Sequence, residues 1–174
     1  MGLREEAEKW LAASGIDQWR DPATRGPALV KWRADIAAGR TWVVEDHSAI
    51  TATITLTGPD LDFWHPEDAP QSAIYVAKLI TTRSAAGSHL GGRLLDFACR
   101  KAQAAALPWV RLDCWRDNER LQRFYLHEGF QHVRTEAPKH RKSGWLGQRP
   151  ADVIRYPSEQ LNEVDAHLSS KRSA

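Results

Sequence analysis

The chain is short of the features that would place it outside the cell, in a membrane or on a nucleic acid. Its 174 residues include two cysteines, Cys99 and Cys114. They lie in a helical and a strand-like pattern with no metal-ligand spacing, so two reduced, buried thiols are expected and neither a disulfide framework nor a metal site. No apolar run approaches the ~18 residues of a membrane span. Arg4, Glu5, Glu6, Glu8 and Lys9 interrupt the start where a signal peptide needs an apolar stretch, and a cytoplasmic protein is the expectation. Charge of one sign is missing too. Lys and Arg number 24 against 22 Asp and Glu, a formal +2 with pI near 8.6, too mild for a nucleic-acid binder but compatible with a small or locally anionic partner. There is no internal repeat and no low-complexity tract, and the length suits one domain with a single core.

What the chain has is a succession of helical and extended patterns. Ala7, Trp10 and Leu11 recur at helical spacing between Arg4 and Ala13, and Gly15 stops that helix. A second helix is predicted from Leu29, Trp32, Arg33 and Ile36, with Pro27 in its first turn and Gly39 at its end. TWVVE and AITATITL, joined by DHS, read as a β-hairpin. The loop TGPDLDFWHPEDAPQ follows, then the strand AIYVAKLIT, the segment TRSAAGSHLGG and a long helix with Leu90, Leu94, Ala98, Ala102 and Ala106 at every fourth place. WVRLDCW reads as a strand and DNERLQRFYLHEGF as a helix with Asp117 as N-cap and Gly129 past its end. FQHVRT and ADVIRY are the last strand candidates, separated by a loop carrying Lys139, His140, Arg141, Lys142 and Arg149. Pro157 opens a tail that predicts a short helix, with Ser158 as N-cap ahead of Leu161, Val164 and Leu168. The fold class is α/β: a mixed sheet with helices on its faces, over residues 1–156, followed by the tail 157–174.

Two stretches carry chemistry. The Gly-bearing turn AGSHLGG (86–92) joins a strand to a helix N-terminus, where backbone N–H groups and the helix dipole favour an anion such as a phosphate ester. Some thirty residues on, a strand leads to a capped helix with Asn118, Phe124 and Tyr125 that ends in Gly129-Phe130. This pair resembles the two central motifs of the GNAT superfamily of N-acyltransferases, the pyrophosphate loop and the strand-Asn-helix-Tyr-x-x-x-Gly-Phe unit. The resemblance runs from about Thr41 to Tyr156. It implies the GNAT fold, a mostly antiparallel sheet splayed between the strands at about 75–82 and 109–115. It also implies transfer of an acetyl or other acyl group from a CoA thioester to an amine by direct attack in a ternary complex, without a metal. The family opens with a strand that this chain lacks, so either the sheet lacks it or the start of the chain is late.

The roles the resemblance implies are specific. Ile80, Thr81 and Thr82 would pair with the pantetheine arm as with an added strand. The N–H groups of Gly87, Ser88, His89, Leu90, Gly91 and Gly92 would surround the pyrophosphate, and Asn118 would hydrogen-bond the pantetheine. Tyr125 would be the general acid for the departing thiolate, and a backbone N–H near Ile80 would meet the oxyanion. The family's loop begins with Arg or Gln and has Gly at its fourth position, where this chain has Ala86 and His89, with Arg83 upstream as a substitute charge. An acyl carrier protein thioester or an aminoacyl-tRNA therefore stays open as donor, docking on the basic loop 139–149, and so does a silent acyl-CoA-binding protein. For the small-molecule amine acceptor, Trp64, His65, Tyr75, Trp115 and Trp145 are candidate pocket residues, each also a plausible core residue. His65, Glu67, Asp62 and Glu45 are candidate general bases by chemistry alone. A homodimer is compatible with this fold.

Overall fold

The computed structural model describes residues 2–16, 19, 22–139, 141 and 143–163. Helix α1 (Gly2–Ala13) and helix α2 (Pro22–Ala37) come first. The hairpin β1 (Thr41–Asp46) and β2 (Ala49–Thr57) turns through His47 and Ser48 at φ 46° and 64°, a two-residue turn with both residues left-handed. Then follow β3 (Ala73–Thr81), α3 (Leu90–Ala104), β4 (Trp109–Trp115), α4 (Glu119–His127), β5 (Gln131–Thr135) and β6 (Ser143–Pro150). The six strands form one sheet in the order β1-β2-β3-β4-β6-β5. Its neighbours are antiparallel except β3 and β4, which α3 joins as a parallel crossover. Among the described residues no strand precedes α1.

Alternation along the strands sends Ile54, Leu56, Val76, Val110, Leu112 and Cys114 into one core with Leu90, Leu94, Leu95 and Ala98 of α3. Thr53 and Thr55 point the other way and are buried as well, so both faces are covered. A second cluster gathers Phe63 and Trp64 of the loop after β2 with Ala73, Tyr75 and Leu146.

Three elements differ from the sequence expectation. Helix α2 begins at Pro22, which puts Pro27 inside the helix and costs it one helical hydrogen bond. Its inward face carries Trp32 and Asp35, whereas Ile36 is exposed, because Asp35 is drawn inward to accept from Arg40 at 2.8 and 3.0 Å. The last strand is SGWLGQRP, not ADVIRY, which forms turns. Gly144, Gly147 and Pro150 make that stretch look like loop, but it lies between β4 and β5 and is paired on both sides, and tertiary pairing overrides local propensity. Consequently Arg149 is no loop residue: it is 0% exposed and ion-paired with Asp96. Residues 157–163 contain no helix, and Val164 and Leu168 lie outside the described residues.

Candidate functional site

The parallel pairing of β3 and β4 covers only Ala73–Tyr75 against Trp109–Arg111. Beyond it the strands diverge, and a cleft of about 980 Å³ occupies the gap. From Val76 to Thr81 the β4-facing edge of β3 has no strand partner among the described residues, so an extended ligand can add to it as a strand. Ile80 and Thr81 line the cleft; Thr82 does not, and its N–H is committed to Thr51 C=O at 2.8 Å. Within β3, Ile54 of β2 stands opposite two residues, Lys78 and Leu79, and Lys78 has φ 50°. This bulge takes an N–H out of the ladder and turns Lys78 into the cleft.

At one end of the cleft the segment 86–92 wraps into α3. Gly87 has φ 84°, and His89, the N-cap of α3, has φ 56° with no side-chain cap bond. A left-handed His costs roughly 1–2 kcal/mol. Its ring lies against Tyr156, 5.2 Å between centroids. Among the described residues the N–H groups of Gly87, His89, Leu90, Gly91 and Gly92 have no backbone acceptor, whereas Ser88 N–H donates to Ala85 C=O and its hydroxyl turns back to the same oxygen. Five of the six expected anion donors are thus available at a helix N-terminus. Gly92 has a second reason to be glycine: a Cβ there would lie 2.3 Å from Tyr156 and 2.6 Å from Glu128. Arg83 borders this end, stacked 4.6 Å over Trp10.

Tyr125, 6% exposed, is set between Phe124, Phe130 and Trp145. Its hydroxyl makes no hydrogen bond to a described residue, and burial, with Cys114 and Asp113 nearby, raises its pKa far above that of a free phenol. It holds its proton at any physiological pH. Burial also pushes the Cys114 thiol up to about 12, so the sulfur beside Tyr125 is no nucleophile at neutral pH. Asn118 is the N-cap of α4, accepting from Leu121 N–H at 3.1 Å, a place expected for Asp117; it also lines the cleft.

The other end is bordered by Trp19, which follows α1, and by Lys31 and Asp35 of α2. Of the residues singled out for the acceptor, Tyr75 and Trp115 line the cleft. Trp64 does not: it is 1% exposed, edge-on to Tyr75 and beneath the Arg111 guanidinium. Trp145 stacks behind Tyr125 and on His132. His65 and Glu67 pair with each other in the turn before β3, Asp62 pairs with Arg141, and Glu45 is on the exposed edge strand; none of these four candidate bases lines the cleft. Asp113 and Lys78, passed over in the sequence, do. Lys78 is the single charged side chain in AIYVAKLIT and Asp113 the single acidic one in WVRLDCW, and that contrast was the available signal. Asp113 hydrogen-bonds Ser143, and burial raises its pKa above the usual carboxylate range.

The Acetyltransferase (GNAT) family model matches residues 4–130. The chain belongs to the GNAT family. It is therefore a transferase, and the reaction that comes with the family is acyl transfer from an acyl-CoA. This GNAT chain is 26% identical over 140 residues to the Bacillus subtilis N-acetyltransferase YesJ, itself uncharacterised, with 78% of this chain and 77% of that one covered. Among solved structures it resembles a GNAT acetyltransferase from Listeria monocytogenes, at 25% identity and TM-score 0.64 over 85% of this chain and 84% of that one. The fold also matches yncA of Salmonella typhimurium, solved with its cofactor acetyl-CoA, at 16% identity and TM-score 0.51 over 81% of this chain and 78% of that one. No described helix is long and apolar enough to cross a membrane.

Proposed function

We propose that the protein acetylates the amine of a small molecule, with acetyl-CoA as donor, by direct attack in a ternary complex. The supporting observation is that one cleft joins the open edge of β3 and the N–H groups of Gly87 and 89–92, which have no backbone acceptor among the described residues, to the Tyr125 hydroxyl, with Asp113 lining the far end. Pantetheine adds to Ile80 and Thr81, Asn118 lies alongside, and the pyrophosphate meets the N–H groups of Gly87 and 89–92. Asp113, a stronger base than a solvated carboxylate, takes the proton from the attacking ammonium. The amine forms its C–N bond, the N–H freed at the Lys78–Leu79 bulge meets the oxyanion, and the C–S bond breaks as Tyr125 gives its proton to sulfur and regains one from the nitrogen that becomes the amide. The helices over the far end favour a small acceptor.

A carrier protein or tRNA as donor has less support. In the loop expected to dock it, Arg141 is tied to Asp60 at 2.8 Å and Asp62 at 2.5 Å, and Arg149 is buried; His140 and Lys142 lie outside the described residues. Calorimetric titration with acetyl-CoA tests the donor assignment. Saturable binding is expected, and none at millimolar ligand would contradict it.

A further inference from the structure

Among the described residues, the far end of the cleft holds one basic and one acidic side chain, both partly buried, that no ion pair consumes. Asp35 is taken by Arg40 at 2.8 Å, Asp60 by Arg141 at 2.8 Å, and Arg4, just behind, by Glu8 at 2.7 Å. What is left among the partly buried groups is Lys78 on β3 and Asp113 on β4, with the exposed Lys31 at the rim; of the other exposed charges on the lining, Glu6 accepts the Arg83 N–H at 2.9 Å and Arg120 stacks over Trp10. The bulge at Lys78 and Leu79 aims the Lys78 side chain into the gap, where its ammonium makes neither hydrogen bond nor ion pair with a described residue. Asp113 has Ser143 as hydrogen-bond donor, and although Lys78 and Asp113 feel each other electrostatically, no ion pair joins them. They face the same space from the two diverging strands.

Burial lowers the Lys78 pKa, and the field of Arg4 lowers it further. A carboxylate beside it would reverse both effects, whereas a plain amine would bring one more cation toward Lys78, Lys31 and Arg4 and leave Lys78 unpaired. A ligand bearing both signs satisfies both groups at once. We infer that the acceptor is a small amine that also carries a carboxylate, as an amino acid does, with Lys78 receiving the carboxylate and Asp113 the amine. This rests on the acyl-transfer reading above and names its substrate class. The balance is that reading's own: ammonium and thioester give the N-acyl amino acid, free CoA thiol and one proton released to solvent.

The test compares kcat/KM for acetylation of each common amino acid with that of its decarboxylated amine, phenylalanine against phenethylamine and lysine against cadaverine among them. Wild type is expected to prefer at least one acid over its amine by about 10- to 100-fold, the range for a charge-assisted contact. In Lys78→Met and Lys78→Gln the ratio should fall toward one, chiefly through KM, and Lys78→Arg should recover part of it. A wild-type preference for the plain amines, acetylation of no amino acid, or a ratio unchanged in folded Lys78 variants would overturn the inference. If both neutral variants fail to fold, the wild-type preference alone decides. Acetyl-CoA titration separates the two failures: no saturable binding sinks acyl transfer itself, whereas binding without the preference sinks only the acceptor class.

Discussion

At Tyr125, burial against Phe124, Phe130 and Trp145 fixes the ring and keeps the hydroxyl protonated, both of which a general acid needs. Tyr125→Phe removes one oxygen from a packed site and should lower kcat by about 10²-fold or more while leaving acetyl-CoA affinity unchanged, read by steady-state kinetics and calorimetry. Asp113 responds to pH in a defined direction. Its folded pKa is raised, so as a base it works only above that value, and kcat/KM should rise with pH later than an ordinary carboxylate would allow. Asp113→Asn should remove that limb and cost about 10²- to 10⁴-fold in rate. The same shift sets stability. The folded state holds this proton more tightly than the unfolded chain, so the gain is full below the ordinary carboxylate pKa and lost as pH rises through the folded one. Asp113→Asn should therefore melt higher than wild type at neutral pH, which thermal denaturation checks. Tyr125 was legible in the sequence because Asn118 and Gly129 flank it in a motif. Asp113 and Lys78 were not, because their meaning depends on the divergence of two strands far apart in the chain.

At the scale of elements, the segment 86–92 depends on a brace that the sequence hid. Glycines there read as room for a ligand, yet Gly92 also leaves space for Tyr156, whose hydroxyl donates to Glu128 at 3.0 Å. Gly92→Ala pushes that brace away and should destabilise by about 1–3 kcal/mol in urea unfolding, the usual cost of overpacking. Acetyl-CoA affinity should fall with it, because the displaced residues border the loop. The helix α3 and strands β2, β3 and β4 follow their apolar periods closely and were readable from them. The β3 bulge was not, since a bulge exists only relative to the residue it opposes, Ile54. Strand β6 was missed for a related reason: its glycines answer to tertiary packing rather than any local preference, and a Cβ at Gly147 would come within 2.7 Å of the Trp145 ring, which lies two residues back on the same strand.

Across the whole molecule, one buried carboxylate ties the cleft's walls together. Asp96 of α3 pairs with Arg149 of β6 and accepts from the backbone N–H groups of Arg155 and Tyr156, at 3.0 and 2.7 Å. It thus joins the helix behind the phosphate end to the strand behind Tyr125 and to the segment that braces Gly92. Asp96→Ala would leave the Arg149 guanidinium buried and uncompensated, and should cost about 3–5 kcal/mol in chemical denaturation. The sequence offered Arg149 as a docking charge, and only burial revealed it as a strut. This frame holds the gap between β3 and β4, where donor and acceptor are proposed to meet. The most direct measurement there is amine-dependent release of CoA thiol from saturating acetyl-CoA, comparing wild type with Tyr125→Phe over a panel of amino acids and plain amines. Wild type should release thiol only with an acceptor present, and Tyr125→Phe about 10²-fold more slowly with donor affinity intact. No amine-dependent release from wild type, or equal rates in the two proteins, would contradict transfer through this site.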